Sequence, residues 1–231
     1  VDLDLLMRYA PLIEHLETHA PRDARILEVG SGSHGITRFC KRRVVGLDID
    51  FPPPVSPYLE PHKGHATAIP FPDHSFDFVV CTDVLEHIPG DARELAMREM
   101  WRLARRAVLC GVPCGSKALR YEERYNTAYR QRLGRDNPWL VEHQQHGLPE
   151  AEEVRRAWLR VTQGSPEARI HESGNVNLDF WLETHLAELM EPWPASYRKL
   201  RENALRNLAA FTKAKSFGDC YRRIFLIIRQ E

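Results

Sequence analysis

Several things are scarce in this chain, and each scarcity narrows the reading. Charge of one sign is not in surplus: 32 Lys and Arg balance 32 Asp and Glu. A protein built to hold a polyanion usually carries extra cations, because neutralising phosphates dominates that affinity, so nucleic acid is not the expected partner. Cysteine is limited to Cys40, Cys81, Cys110, Cys114 and Cys220. An odd number without framework spacing predicts free thiols rather than a disulfide scaffold. Cys110 and Cys114 lack the second pair that a zinc site of this kind needs, and no metal is expected. No run approaches the ~20 apolar residues of a membrane-spanning helix. The first residues carry Asp2 and Asp4 and no basic leader region. A cytoplasmic location is therefore expected. There is no internal repeat and no low-complexity tract.

What is present is the pattern of an α/β protein. The chain has 231 residues, 43% hydrophobic and 28% charged, enough for one large domain or a domain with a modest insertion. Short apolar runs at 24–29, 44–49, 76–82 and 106–112 end in glycines, acids or turn residues, as buried parallel strands do. Residues 2–19 have helical spacing, with Leu5, Leu6, Tyr9, Leu12, Ile13 and Leu16 on the apolar side; Pro11 predicts a kink or break. Residues 91–104 predict an amphipathic helix capped by Asp91, with Leu95, Met97, Met100, Trp101 and Leu103 as its stripe. Strand, helix and strand in this order predict right-handed crossovers and a doubly wound sheet.

Beyond Pro113 the composition shifts to Arg, Glu, Gln and aromatics. Helices are expected near 117–133 and 150–162 with a loop between, then a strand at 168–172. Helices at 177–190 and 195–214 and a closing strand at 220–229 follow. Three units result: a cofactor-binding α/β core at 1–116, a helical cap for acceptor recognition at 117–167, and completion of the core at 168–231.

The strongest local signal is Ile26-Leu27-Glu28-Val29-Gly30-Ser31-Gly32-Ser33-His34-Gly35. Glycines there permit positive φ and close backbone approach to a ligand. Alone, this loop fits a structural turn as well as a dinucleotide fingerprint. Asp48 follows Gly32 by 16 residues, near the ~20 expected for an acid that binds ribose hydroxyls. A turn-capping role for Asp48, or a share of either role for Asp50, stays open.

Further elements are more specific: Gly46-Leu47-Asp48, then Ala68-Ile69-Pro70-Phe71-Pro72-Asp73-His74-Ser75-Phe76-Asp77-Phe78-Val79-Val80, then Asp83-Val84-Leu85-Glu86-His87-Ile88. With the glycine loop, these residues resemble class I S-adenosylmethionine-dependent methyltransferases of the methyltransferase-11 type, over about residues 24–115 and the final strand. The resemblance implies a Rossmann-like, mostly parallel seven-stranded sheet whose last strand is antiparallel. It implies S-adenosyl-L-methionine as cofactor. Glu28 would serve the methionine end, through its amino group or through loop amides, and Gly30 and Gly32 would let the backbone pass under the cofactor. Asp48 would hold the ribose, Ala66 would lie beside the adenine, and Asp83 and Val84 would lie next to the transferable methyl. Ser31, Ile49 and His65 complete the expected cofactor-binding set. Two positions depart from the family: His34 stands where a third glycine is usual, with Gly35 displaced by one, and His65 replaces an acid that contacts the adenine amino group. The Pro-rich stretch 51–57 predicts that the helix after the second strand is short or absent.

For the chemistry, His87 and Glu86 are the candidate bases, with capping of the next helix as the competing role for both. His143 and His146 are the candidate acceptor-binding residues, on a loop of the inserted segment; a solvated surface loop competes with that assignment. From Ala195 onward, nine Lys or Arg face three acids, read as a solvated helix face. The expected activity is methyl transfer to oxygen or nitrogen of a small-molecule or glycan-type acceptor. A non-catalytic cofactor- or partner-binding protein on the same scaffold is the alternative, and a nicotinamide oxidoreductase a more distant one.

Overall fold

The computed structural model describes residues 2–163, 165 and 167–230. Seven strands form one sheet in the order β3-β2-β1-β4-β5-β7-β6. They are β1 (Ile26–Val29), β2 (Val44–Asp48), β3 (Leu59–Lys63), β4 (Phe76–Thr82), β5 (Ala104–Pro113), β6 (Ala168–Asn177) and β7 (Cys220–Arg229). β1 to β5 are mutually parallel; β7 inserts antiparallel between β5 and β6. The order reverses between β1 and β4, and such a switch point opens a crevice at the carboxyl ends of the strands.

The helices are α1 (Leu3–His19), α2 (Gly90–Leu103), α3 (Gly115–Leu133), α4 (Pro138–His146), α5 (Ala151–Val161), α6 (Leu178–Glu188), α7 (Ala195–Arg206) and α8 (Leu208–Ala214). One sheet face is covered by α2 and α5, with Met97, Met100, Trp101, Val154 and Trp158 buried against Leu27, Val79, Cys110 and Phe225. On the other face α1 packs Tyr9, Leu12 and Leu16 against Ile26, Phe78 and Leu109. The aromatic side chains of α3 and α6 meet the start of α1 in a third cluster.

Four expectations are corrected. First, α1 runs through Pro11 without a break. Pro11 cannot donate to the Met7 carbonyl four residues back, and the buried Asn175 side chain donates to it instead, at 3.1 Å. Second, β3 forms at the sheet edge although no apolar run announces it: only Leu59 of its five residues is buried, and an edge strand tolerates Pro61. Third, α2 is preceded by Pro89 and has no side-chain cap. Asp91 lies in its first turn, where the helix dipole favours an acid, and Leu95 is half exposed while Ala96 takes an inward place. Fourth, the segment expected as a loop around 139–149 is largely helix α4, begun by Asn137, whose side chain accepts from the Trp139 amide. As the prolines predict, no helix separates β2 from β3. The 195–214 stretch is two helices, divided at Asn207. The cysteines are all free, with Cys81 and Cys110 buried in neighbouring strands.

Candidate functional site: a cleft at the strand ends

A cleft of about 1300 Å³ opens over the carboxyl ends of β1, β2 and β4. Its first wall is the glycine turn. Gly30 takes φ +75°, and a Cβ there would lie 2.1 Å from Val84 Cγ2, so a glycine is required for the ends of β1 and β4 to meet. Gly32 takes φ +52° with nothing within 4 Å of where a Cβ would stand; its bare backbone lines the cleft. Gly35 takes φ +48°, and a Cβ would fall 2.0 Å from Glu28 Oε2. Gly35 thus supplies the close approach that the departure at His34 displaced by one residue.

Glu28 is fully buried and outside the cleft lining. Its carboxyl accepts from the Ile36 amide at 2.7 Å and from the Tyr9 hydroxyl at 2.8 Å. Burial pushes its pKa up, to about 7, against the opposing pull of those two hydrogen bonds. Glu28 thus fastens the turn after Gly35.

Asp48 ends β2 at the cleft edge. Its carboxylate accepts from the Gly32 amide at 2.7 Å and from the Ile49 amide at 2.7 Å. Asp48, Ile49, Ser31, His65 and Ala66 all line the cleft; Ile49 is 69% exposed. The backbone brings them together because β3 runs parallel beside β2 and the Gly64 amide then donates to the Asp48 carbonyl at 3.0 Å.

Asp83 follows β4 in a left-handed conformation, φ 52°, and with Val84 it completes the expected set. Its carboxylate belongs to a buried network that the sequence did not announce. Arg222, on β7 and 2% exposed, donates from Nε to Asp83 Oδ1 and from Nη2 to Asp83 Oδ2, both at 2.7 Å. The same guanidinium holds Asp4 of α1 through Nη1 and Nη2, both at 2.7 Å. Arg8 Nε lies 3.3 Å from Asp83. Burial alone would raise Asp83, but Arg222 and Arg8 outweigh it and hold the carboxyl below its usual range. One of the nine cations read as a solvated face is therefore an internal tie between α1, β4 and β7.

The far wall of the cleft holds the chemistry candidates. Glu86 and His87 lie on a short turn, Leu85–His87, after β4. Arg93 of α2 clamps this turn, donating from Nε to the Leu85 and Ile88 carbonyls and from Nη2 to the Gly147 carbonyl at the end of α4. That clamp brings His87 against His143 of α4, Nε2 to Nε2 at 3.3 Å. Nδ1 of His87 is 2.8 Å from Glu142 Oε2; Nδ1 of His143 is 2.9 Å from Glu122 Oε1, which also accepts from the Tyr221 hydroxyl at 2.6 Å. Glu86 is fully buried with neither carboxyl oxygen partnered. Burial and the charge of Asp83 push its pKa well up. Burial, with His143 beside it, lowers that of His87 despite Glu142. His146 is outside the cleft lining, and its carbonyl accepts from Arg93. Of the two expected acceptor residues, the fold brings only His143 to the cleft. Tyr125, Trp139, Trp181 and Tyr221 line the same end.

A doubly wound sheet with a glycine turn at its switch point and an acid at the next strand end defines an enzyme class that holds an adenosine-bearing cofactor. Which class is settled by the sequence match. Residues 27–110 match the family model of the methyltransferase domain, Methyltransf_11, and this segment is a class I S-adenosylmethionine-dependent methyltransferase domain. S-adenosyl-L-methionine is its cofactor. No curated protein matches the chain. Among solved structures, it is similar to an S-adenosylmethionine-dependent methyltransferase of Thermotoga maritima, with 16% identity, 98% of this chain and 92% of that one covered, and a TM-score of 0.56. A magnesium protoporphyrin IX methyltransferase of Synechocystis, solved with bound S-adenosylhomocysteine, gives 12%, 97%, 83% and 0.53. A phosphoethanolamine N-methyltransferase of Haemonchus contortus, in complex with S-adenosylhomocysteine, gives 14%, 95%, 52% and 0.54. At these identities the likeness establishes the shared fold. No helix among the described residues is long and apolar enough to cross a membrane.

Proposed function

We propose that the chain transfers the methyl group of S-adenosylmethionine to an oxygen or nitrogen of a small-molecule or glycan-type acceptor. The observation that carries this reading is the two-ended cleft: bare glycine backbone and Asp48 at one end, and Glu86, His87 and His143 among aromatic rings at the other. The cofactor would supply an electrophilic methyl on a sulfonium. Asp48 would hold the ribose, Ile49, His65 and Ala66 the adenine side, and Gly30 and Ser31, through the loop fixed by Glu28, the methionine end. Asp83 and Val84 would stand between the two ends. A carboxylate accepting from amides keeps lone pairs free for hydroxyl donors, so the Gly32 and Ile49 amides orient Asp48 without exhausting it.

Positioning an acceptor against an electrophile in a water-poor site supplies much of the rate. Tyr125, Trp181 and Tyr221 offer flat apolar walls for a ring-bearing acceptor, and Glu86, His87 and His143 are the polar groups turned toward it. The segment 117–167 supplies α3 and α4 to that end and would select the acceptor, whereas α5 packs into the sheet core. The zero net charge supports a small or neutral acceptor over a polyanion.

The test is calorimetric titration with S-adenosylmethionine and S-adenosylhomocysteine, followed by methyl transfer to a panel of phenols, sugars and amines. Micromolar cofactor binding, about −8 kcal/mol, and transfer to one acceptor class are expected. Cofactor binding without transfer to any acceptor would favour the non-catalytic alternative.

A further inference from the structure

We propose that Glu86, His87 and His143 form a binding site for one divalent transition-metal ion of the zinc class, placed at the acceptor end of the cleft. Each residue offers one ligand atom, and the three atoms lie within 4.8 Å of one another. The inference rests on the methyltransferase reading only for what the ion would do, not for the site itself.

Three observations converge. The first is the tautomer that the surroundings impose. Each ring has its Nδ1 against a carboxylate, Glu142 for His87 and Glu122 for His143. A carboxylate accepts, so both Nδ1 atoms carry the proton and both Nε2 atoms present lone pairs. Two lone pairs facing each other at 3.3 Å repel unless the two rings share a proton or a metal ion. The second is spacing. Two imidazole nitrogens bound to one ion at about 2.0–2.1 Å with tetrahedral angles stand about 3.3–3.4 Å apart, which is the separation found. The third is Glu86. Its carboxyl is fully buried, carries no hydrogen bond at either oxygen, and joins the same cluster. Leaving a buried carboxyl unpartnered is costly, and a metal ion would relieve it.

The donor set selects the ion. Two imidazoles and one carboxylate suit zinc and its neighbours, whereas magnesium and calcium favour all-oxygen shells. Histidine ligands held by carboxylates through the second ring nitrogen are the usual outer shell of such sites. All three ligands line the cleft, so an acceptor oxygen entering it would meet the ion, and an adjacent cation makes its proton easier to lose. His87 would then act as a ligand rather than as a free base. Local spacing does not assemble this set: His143 and His146 lie three residues apart, yet only His143 joins the cluster, and its partner His87 lies 56 residues upstream.

The test is calorimetry on the full chain, stripped with chelator, titrated with zinc chloride, with cobalt(II) absorption reporting the coordination geometry. One ion per chain and a tetrahedral cobalt spectrum are expected. Glu122→Gln and Glu142→Gln, which remove only an outer partner, should each weaken binding by about 10–100-fold. His143→Ala and Glu86→Ala should weaken it further, and His62→Ala, at a partly buried histidine on β3 outside the cleft lining, should leave it unchanged. Thermal melts confirm folding; Glu142 is partly exposed, so its variant keeps the test valid if a buried change unfolds the protein. Absence of binding, or binding equal in the wild type and the Glu142→Gln and His143→Ala variants, would overturn the proposal. S-adenosylhomocysteine is titrated into the same samples. Cofactor binding without metal binding leaves the methyltransferase reading standing alone; metal binding without cofactor binding leaves only the site.

Discussion

Replacing Arg222 by methionine tests the internal tie between α1, β4 and β7. Its guanidinium makes a two-pronged contact with Asp4 and another with Asp83, and is 2% exposed. Methionine fills a similar volume without a charge, so the change isolates electrostatics from packing. Two buried carboxylates would then face each other with Arg8 3.3 Å from Asp83 and 3.9 Å from Asp4 and His185 acting on Asp4. Removing one partner of a buried pair costs about 3–5 kcal/mol. For a chain of this length that corresponds to a melting temperature lower by roughly 6–20 °C. The pH dependence supplies a second readout. Burial raises both carboxyls, but Arg222, His185 and Arg8 more than reverse it at Asp4 and Arg222 and Arg8 at Asp83, so both sit below their ordinary value of 3.8 in the folded protein. A depressed carboxyl pKa contributes stability above the unfolded value that is lost as pH falls through the folded one. The gap between wild type and Arg222→Met should be full at neutral pH and narrow below about pH 4. Asp4→Asn in the Arg222→Met background should recover part of the loss. The assay is thermal unfolding at several pH values, with and without S-adenosylhomocysteine. A variant melting within about 2 °C of wild type at pH 7 would refute the argument, as would a gap that widens in acid.

Gly30→Ala should abolish cofactor binding and lower stability, because the new Cβ meets Val84 Cγ2 at 2.1 Å in a left-handed backbone; titration with S-adenosylhomocysteine beside a thermal melt checks both. Asp48→Ala should weaken S-adenosylhomocysteine binding by roughly 10–100-fold, the worth of charge-assisted hydrogen bonds of about 1.5–3 kcal/mol, while the protein stays folded; unchanged affinity would remove Asp48 from the ribose role. Glu28 carries a pH signature of the opposite sign to Asp4. Burial raises its pKa from 4.5 to about 7, so its contribution is full below 4.5 and is lost as pH rises through 7, about 3 kcal/mol in all. Glu28→Gln should flatten that part of the profile, measured as the difference in urea midpoints between pH 5 and pH 8; an unaltered profile would show that Glu28 titrates normally.

Local patterns announced the strands that are buried on both faces, because continuous apolar runs are what burial between two helical layers demands; β1, β2, β4 and β7 were all legible. The edge strand β3 was not, since Leu-Glu-Pro-His-Lys buries one residue and is ordered by pairing with β2 rather than by its own composition. Helix α4 was obscured by its polar sequence and by Gly147 and Pro149, although Asn137 before Pro138 is a start signal that could have been read. The glycine-turn end of the cleft, proposed to hold the cofactor, was legible because one strand–turn–strand segment supplies most of it. The other end draws Glu86 and His87 from the turn after β4, Glu122 from α3, Glu142 and His143 from α4 and Tyr221 from β7. No single stretch carries that pattern. Arg222 shows the same logic at its strongest: in sequence it is one cation within an apolar strand, beside Arg223, and only the antiparallel insertion of β7 next to β5 sets it against Asp83 and Asp4. The residues proposed to select the acceptor are therefore those that separate elements contribute singly. A variant of the acceptor end should change selectivity while leaving the glycine turn, and with it cofactor affinity, intact.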